Sequence, residues 1–84
     1  MKYSGKIFPM DKYIIEAVRR RRQKLGMTQE DLSLALEVSS TFVNHVESSK
    51  YRTKYNIHHL NKLAETMNCS ISDFLPSPYL KDNR

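Results

Sequence analysis

Leu60, Leu63, Ala64 and Met67 stand at positions i, i+3, i+4 and i+7, a spacing that gathers side chains on one face of an α-helix. No segment of the chain shows the sustained alternation of a half-buried strand. The neighbouring stretches follow the helical rule. Ile14, Val18 and Leu25 keep a 3.6-residue stripe up to Gly26, which suits the residue just past a helix end. Asp11 is the predicted N-cap there, with Met10 stapled onto Ile15. Thr28 is predicted to cap a second helix, with Glu30 and Asp31 in its first turn and Leu32, Ala35 and Leu36 inward. After Glu37 and Val38, Ser39 is predicted to cap a third helix with Val43 and Val46 inward and Phe42 beside them. Asn56 caps the fourth. Ser70 and Asp73 form a capping box that opens a short fifth helix around Ile71, Phe74 and Leu75, which Pro76 and Pro78 stop. The sequence predicts an all-α fold of five short helices.

Eighty-four residues make one small domain with a modest core. The expected division is an N-terminal arm over 1–10, the helical domain over 11–76 and a loose tail over 77–84. Tyr3, Ile7 and Phe8 make the arm apolar enough to pack. No apolar run approaches a membrane span, and the basic start lacks the apolar stretch of a signal peptide. The lone Cys69 cannot form an internal disulfide, so the simplest reading is a reduced, cytoplasmic protein. His58 and His59 point about 100° apart on a helix and cannot easily share one ion. No Cys or His pair has zinc-finger spacing. No nucleophile–base–orienter set, glycine-rich phosphate loop or carboxylate pair is evident. The expectation is no metal, no cofactor, no small-molecule ligand and no enzymatic activity.

The net charge is +5, which favours a polyanionic partner without proving one. Arg19, Arg20, Arg21, Arg22 and Lys24 form one basic cluster, and Lys50, Arg52 and Lys54 another. With Val43 and Val46 inward, the third helix turns out Ser40, Thr41, Asn44, His45 and Ser48. A solvated helix face more often carries Lys and Glu. Short Ser, Thr, Asn and His side chains suit base edges, where Asn can pair bidentately with adenine. The plainer alternative is a set of cap and surface residues with no target. Beside this face, Lys50, Arg52 and Lys54 alternate with Tyr51, Thr53 and Tyr55, all able to contact phosphate or sugar oxygens. Phosphate contacts position a protein and base contacts specify the sequence, so the face and the loop mean more together than apart.

Arg22, Gly26, Met27, Thr28, Gln29, Glu30, Leu32 and Ala35, followed by Val38, Ser39, Val43, Glu47, Leu60, Lys62, Leu63, Ala64 and Ser70, keep one register across four helices. On these residues, 18–75 resembles the Cro/repressor, or xenobiotic-response-element, class of helix-turn-helix. The resemblance implies a compact five-helix lambda-repressor-like DNA-binding domain and a regulator of transcription, commonly dimeric. By position it implies that Ser40, Thr41, Asn44 and His45 face the major groove from a reading helix over 39–48. It implies phosphate contact by Gln29, and Thr28, Ser48, Lys50, Tyr51, Arg52 and Lys54 are the further phosphate candidates. Arg22 and Glu47 take the places of a structural ion pair between the first and third helices.

Some positions depart from the family's pattern. Arg21 stands where an apolar residue is usual, and is expected to bury its stem and let the guanidinium emerge. Glu37 and Ser49 replace turn glycines, and the loop from Glu47 to Asn56 is about two residues longer than is usual in the family. The expected function is sequence-specific recognition of double-stranded DNA by a repressor-type homodimer on a palindromic operator. The rival is a protein-interaction module, of antitoxin or adaptor type, on the same fold.

Overall fold

The computed structural model describes residues 8–81. Four α-helices follow one another, α1 (Pro9–Lys24), α2 (Gln29–Ala35), α3 (Phe42–Glu47) and α4 (Ile57–Thr66), and a 3-10 turn (Ile71–Phe74) closes the fold. No strand occurs among the described residues. The all-α expectation holds, but with four α-helices rather than five. The segment opened by Ser70 is a single 3-10 turn, since Leu75 is already extended and Pro76 follows. Residues before a proline are pushed out of the helical region.

Starts and stops differ in detail from the sequence reading. α1 begins at Pro9, two residues before the predicted cap, with Phe8 at the N-cap position. Proline is pre-organised for the first helical position and lacks the N–H that would go unpaired there. Asp11 therefore lies inside the first turn, where its charge suits the helix dipole. Tyr3 and Ile7 fall outside the described residues. Thr28 caps α2 in a reciprocal box with Asp31, and Asn56 caps α4 in a box with His59.

α1, α2 and α4 end in one motif. After each, the residue past the C-cap is left-handed: Gly26 at φ 71°, Glu37 at φ 60° and Asn68 at φ 53°. Its N–H and that of the next residue bond back to the last turn: Gly26 to Gln23, Met27 to Arg22, Glu37 to Leu34, Val38 to Ser33, Asn68 to Glu65 and Cys69 to Ala64. This is the Schellman arrangement, which satisfies carbonyls that the helix end would otherwise orphan. Only the first uses glycine.

The core gathers Ile15 and Val18 from α1, Leu32 and Leu36 around α2, Val43 and Val46 from α3, Leu60, Leu63, Ala64 and Met67 around α4, and Phe74 from the 3-10 turn. The stripe at 60, 63, 64 and 67 is wholly buried. α2 packs on α3, α1 on α3, and the 3-10 turn on both α1 and α4. The loop after α3 is not uniformly exposed. Tyr55, read in sequence as a possible phosphate contact, is buried in the core. It sits just before the Asn56 cap, the position from which an apolar side chain packs down beside a helix start.

Candidate nucleic-acid interface

α3 is short, and its start has to be held by something. Ser39 does not cap it: helical geometry begins only at Phe42, and Thr41 at the N-cap makes no capping bond with its side chain. Ser39, Ser40 and Thr41 instead form a turn, in which the Ser39 carbonyl accepts from the Phe42 N–H at 3.0 Å and the Ser39 and Thr41 hydroxyls meet at 3.1 Å. The missing cap comes from α2. Ser33 is fully buried, donates its hydroxyl to the Gln29 carbonyl at 2.9 Å and accepts from the Val43 N–H at 3.0 Å. This tertiary cap ties the bend to both helices. Its only sequence signal is a small polar residue next to the inward Leu32.

The far end of α3 is fixed by charge. Glu47, its last residue, has a side chain only 3% exposed and lies against Arg22 of α1. The pair is bidentate, Nε to Oε2 at 3.0 Å and Nη2 to Oε1 at 2.8 Å, while Nη1 of Arg22 donates to the Met27 carbonyl at 2.8 Å. The bond to Glu47 is the main cause that raises the Arg22 pKa above its ordinary value, against the opposing effect of burial. Such a fork holds direction as well as distance. α3 is therefore clamped to α2 at its start and to α1 at its end.

The carboxylate of Glu47 makes two more contacts, one of them a 4.0 Å approach of Arg19 Nε to Oε1. Gln29, the first residue of α2, donates from Nε2 to Glu47 Oε1 at 2.9 Å. Its other end, Oε1, accepts from Nδ2 of the exposed Asn44 at 2.9 Å. A continuous chain of hydrogen bonds thus runs from buried Arg22 through Glu47 and Gln29 to Asn44 on the surface.

Ser40, Thr41 and Asn44 are exposed. His45 is half-buried because its ring stacks on Tyr51, with centroids 4.1 Å apart and planes at 26°. That stack pins the following loop to α3. In the loop Ser48 Oγ accepts from the Lys50 N–H at 3.2 Å, and Lys50, Tyr51 and Arg52 are exposed. Lys54 is drawn elsewhere: its ammonium lies 3.5 Å from Asp11 on α1. Thr28 gives its backbone N–H to the Asp31 carboxylate and accepts the Asp31 N–H with its hydroxyl, and hydrogen bonds from the Thr28 backbone first and its side chain second hold that carboxyl below its usual pKa.

The arginine run is divided by the packing. Arg21 does not simply emerge into solvent. Its guanidinium donates from Nε and Nη2 to the Met67 carbonyl at 3.2 and 3.1 Å and from Nη2 to that of Asn68 at 3.3 Å, capping the end of α4. A cation there is well placed against the helix dipole. Arg19 stays half-exposed beside Glu16 at 3.7 Å.

A profile of the helix-turn-helix family matches residues 18–74, more than half of the chain. The chain belongs to the helix-turn-helix family of DNA-binding proteins, in its Cro-like branch. Among solved structures, the fold is similar to that of a hypothetical transcription factor, NHTF, from Neisseria, with a TM-score of 0.67. The two chains are 21% identical over 87% of this one and 86% of the other, a likeness of fold. No curated protein matches the chain by sequence. In helix-turn-helix terms α2 and α3 are the two helices of the motif, and the bend at Glu37 is its turn. No helix among the described residues is long and apolar enough to cross a membrane.

Proposed function

We propose that this helix-turn-helix protein reads one DNA sequence in the major groove with α3 and acts as a repressor of transcription. The observation that carries the proposal is the exposed Asn44 of α3, held by Gln29, with Ser40 and Thr41 exposed in the turn that leads into the helix. Short amides and hydroxyls of this kind match base edges. His45, braced by Tyr51, completes the reading face. Gln29, Thr28, Ser48, Lys50, Tyr51 and Arg52 supply the phosphate contacts around it. Lys54 joins them only by leaving Asp11. The partner is double-stranded DNA, bound by a homodimer whose reading helices sit about 34 Å apart on a roughly palindromic operator.

The test is selection of bound duplexes from a random library, followed by titration across salt concentration. A specific reader enriches one motif, and Asn44→Ala then costs on the order of 1–3 kcal/mol at that motif and relaxes one base position. Two mirrored half-sites in the enriched motif would report the dimer. Enrichment of no motif over random DNA removes the proposal and leaves the interaction-module reading in its place.

A further inference from the structure

Besides its ion pairs with Arg22 and, at 4.0 Å, with Arg19, Glu47 makes a second kind of contact, accepting from Gln29. The second contact has a directional consequence. A carboxylate only accepts hydrogen bonds, whereas a carboxamide has one accepting end and one donating end. The end of Gln29 that faces Glu47 must therefore be its NH2, which turns Gln29 Oε1 toward Asn44. An oxygen in turn requires the NH2 of Asn44, and the observed contact is Nδ2 to Oε1 at 2.9 Å. One N–H of Asn44 is used in this way. Its second N–H and Oδ1 remain as an adjacent donor and acceptor on an exposed side chain.

We propose that Glu47 is a positioning residue for base recognition, setting through Gln29 the amide orientation of Asn44 so that this residue selects adenine. This rests on α3 being the reading helix. The major-groove edge of adenine offers one acceptor, N7, beside one donor, the N6 amino group, and so complements a donor–acceptor pair. Guanine presents two acceptors, N7 and O6, and a carboxamide that cannot rotate meets one of them with its own oxygen. A freely rotating Asn44 can also turn its NH2 alone toward the guanine acceptors, which weakens this choice between purines. The charge of the Arg22–Glu47 pair thus orders two amides in series, from the buried clamp to the groove.

The decisive variant is Gln29→Met, which keeps the length of the side chain and leaves the Arg22–Glu47 fork untouched. Wild type, Gln29→Met, Glu47→Gln and Asn44→Ala are each titrated against the selected duplex and against copies with the Asn44-contacted base pair exchanged. Gln29→Met is expected to lose about tenfold of the adenine preference at that one pair, the same pair that Asn44→Ala relaxes, with other positions unaffected. Glu47→Gln, whose amide can donate or accept, allows both orientations and weakens the preference at the same pair. If Gln29 also touches a phosphate, its replacement lowers affinity for all duplexes alike and leaves the ratio unchanged. Retention of full adenine preference by Gln29→Met overturns the proposal. A second arm needs no DNA: the side-chain amide protons of Asn44 are followed by NMR in the free proteins. The bonded proton is expected to shift upfield in Gln29→Met, and an unmoved resonance overturns the chain of hydrogen bonds even if no duplex is selected. Failure of every duplex to bind specifically, with the NMR shift intact, faults the DNA reading and confines Glu47 to ordering a surface amide, which also overturns its role in base choice.

Discussion

The hydroxyl of Ser33 on α2 accepts the N–H of Val43 on α3 at 3.0 Å, in a site with no solvent exposure at Ser33. α3 has no capping side chain of its own, so its first turn depends on a residue ten positions earlier in the chain. Ser33→Ala strands the buried Val43 N–H and is expected to lower stability by about 1–3 kcal/mol. Urea unfolding of the two proteins measures this. Ser33→Ala at wild-type stability would mean that the contact contributes nothing.

Glu37 takes a left-handed backbone at φ 60°, in the place that glycine occupies after α1. An L-residue there costs about 1–2 kcal/mol, and glycine returns part of that through its extra freedom in the unfolded chain. Glu37→Gly is expected to raise stability by about 0.5–1 kcal/mol, read as a higher urea midpoint. The opposite change at the first turn, Gly26→Ala, meets no atom within 4 Å of the added methyl, so its loss measures backbone strain less the gain from a stiffer unfolded chain.

His59 predicts a pH dependence. Its Nδ1 accepts the Asn56 N–H at 3.0 Å in the α4 capping box, and its ring packs 4.8 Å from Phe42. Burial first, and the neighbouring His58 second, lower its pKa. The folded state therefore prefers the neutral ring. Its contribution is complete above the ordinary histidine value of about 6.5 and is lost as pH falls through the lower folded value. Thermal melts between pH 7.5 and 5 should show this decline, and His59→Gln, which preserves a capping box, should flatten it. An identical decline in both proteins would assign it to other groups.

Tyr55 carries a buried hydroxyl with no hydrogen-bond partner among the described residues. Burial, and then the nearby Glu47 carboxylate, push its pKa above the usual tyrosine range. Removing an unsatisfied polar atom while keeping the ring relieves a desolvation cost of about 1–3 kcal/mol. Tyr55→Phe is expected to equal or exceed wild type in thermal stability. A clear loss would show that the hydroxyl is satisfied in solution.

Arg52 is exposed in the loop after α3. If it meets a phosphate, Arg52→Ala weakens binding to every duplex alike and flattens the salt dependence by about one unit. A change confined to one base pair would instead make it a base contact.

Local physics made much of this protein readable in one dimension. The 60–63–64–67 stripe is buried as its period requires, and the boxes opened by Thr28, Asn56 and Ser70 depend on residues three apart. The left-handed residue at Gly26 follows from glycine's freedom. The inward Val43 and Val46 placed Asn44 on the outward face, and family register placed Arg22 opposite Glu47. Boundaries were less legible: Pro9 displaced Asp11, and the turn at Ser39 delayed α3 to Phe42, because competing caps differ by less than a packing contact is worth. What tertiary structure alone decided is the remaining links between residues far apart in sequence. Ser33 became a cap, Arg21 closed α4, Tyr55 moved into the core, and Gln29 joined Glu47 to Asn44. None of these has a period or a motif, since each depends on the distance between two helices, and that distance is set only when their apolar faces pack.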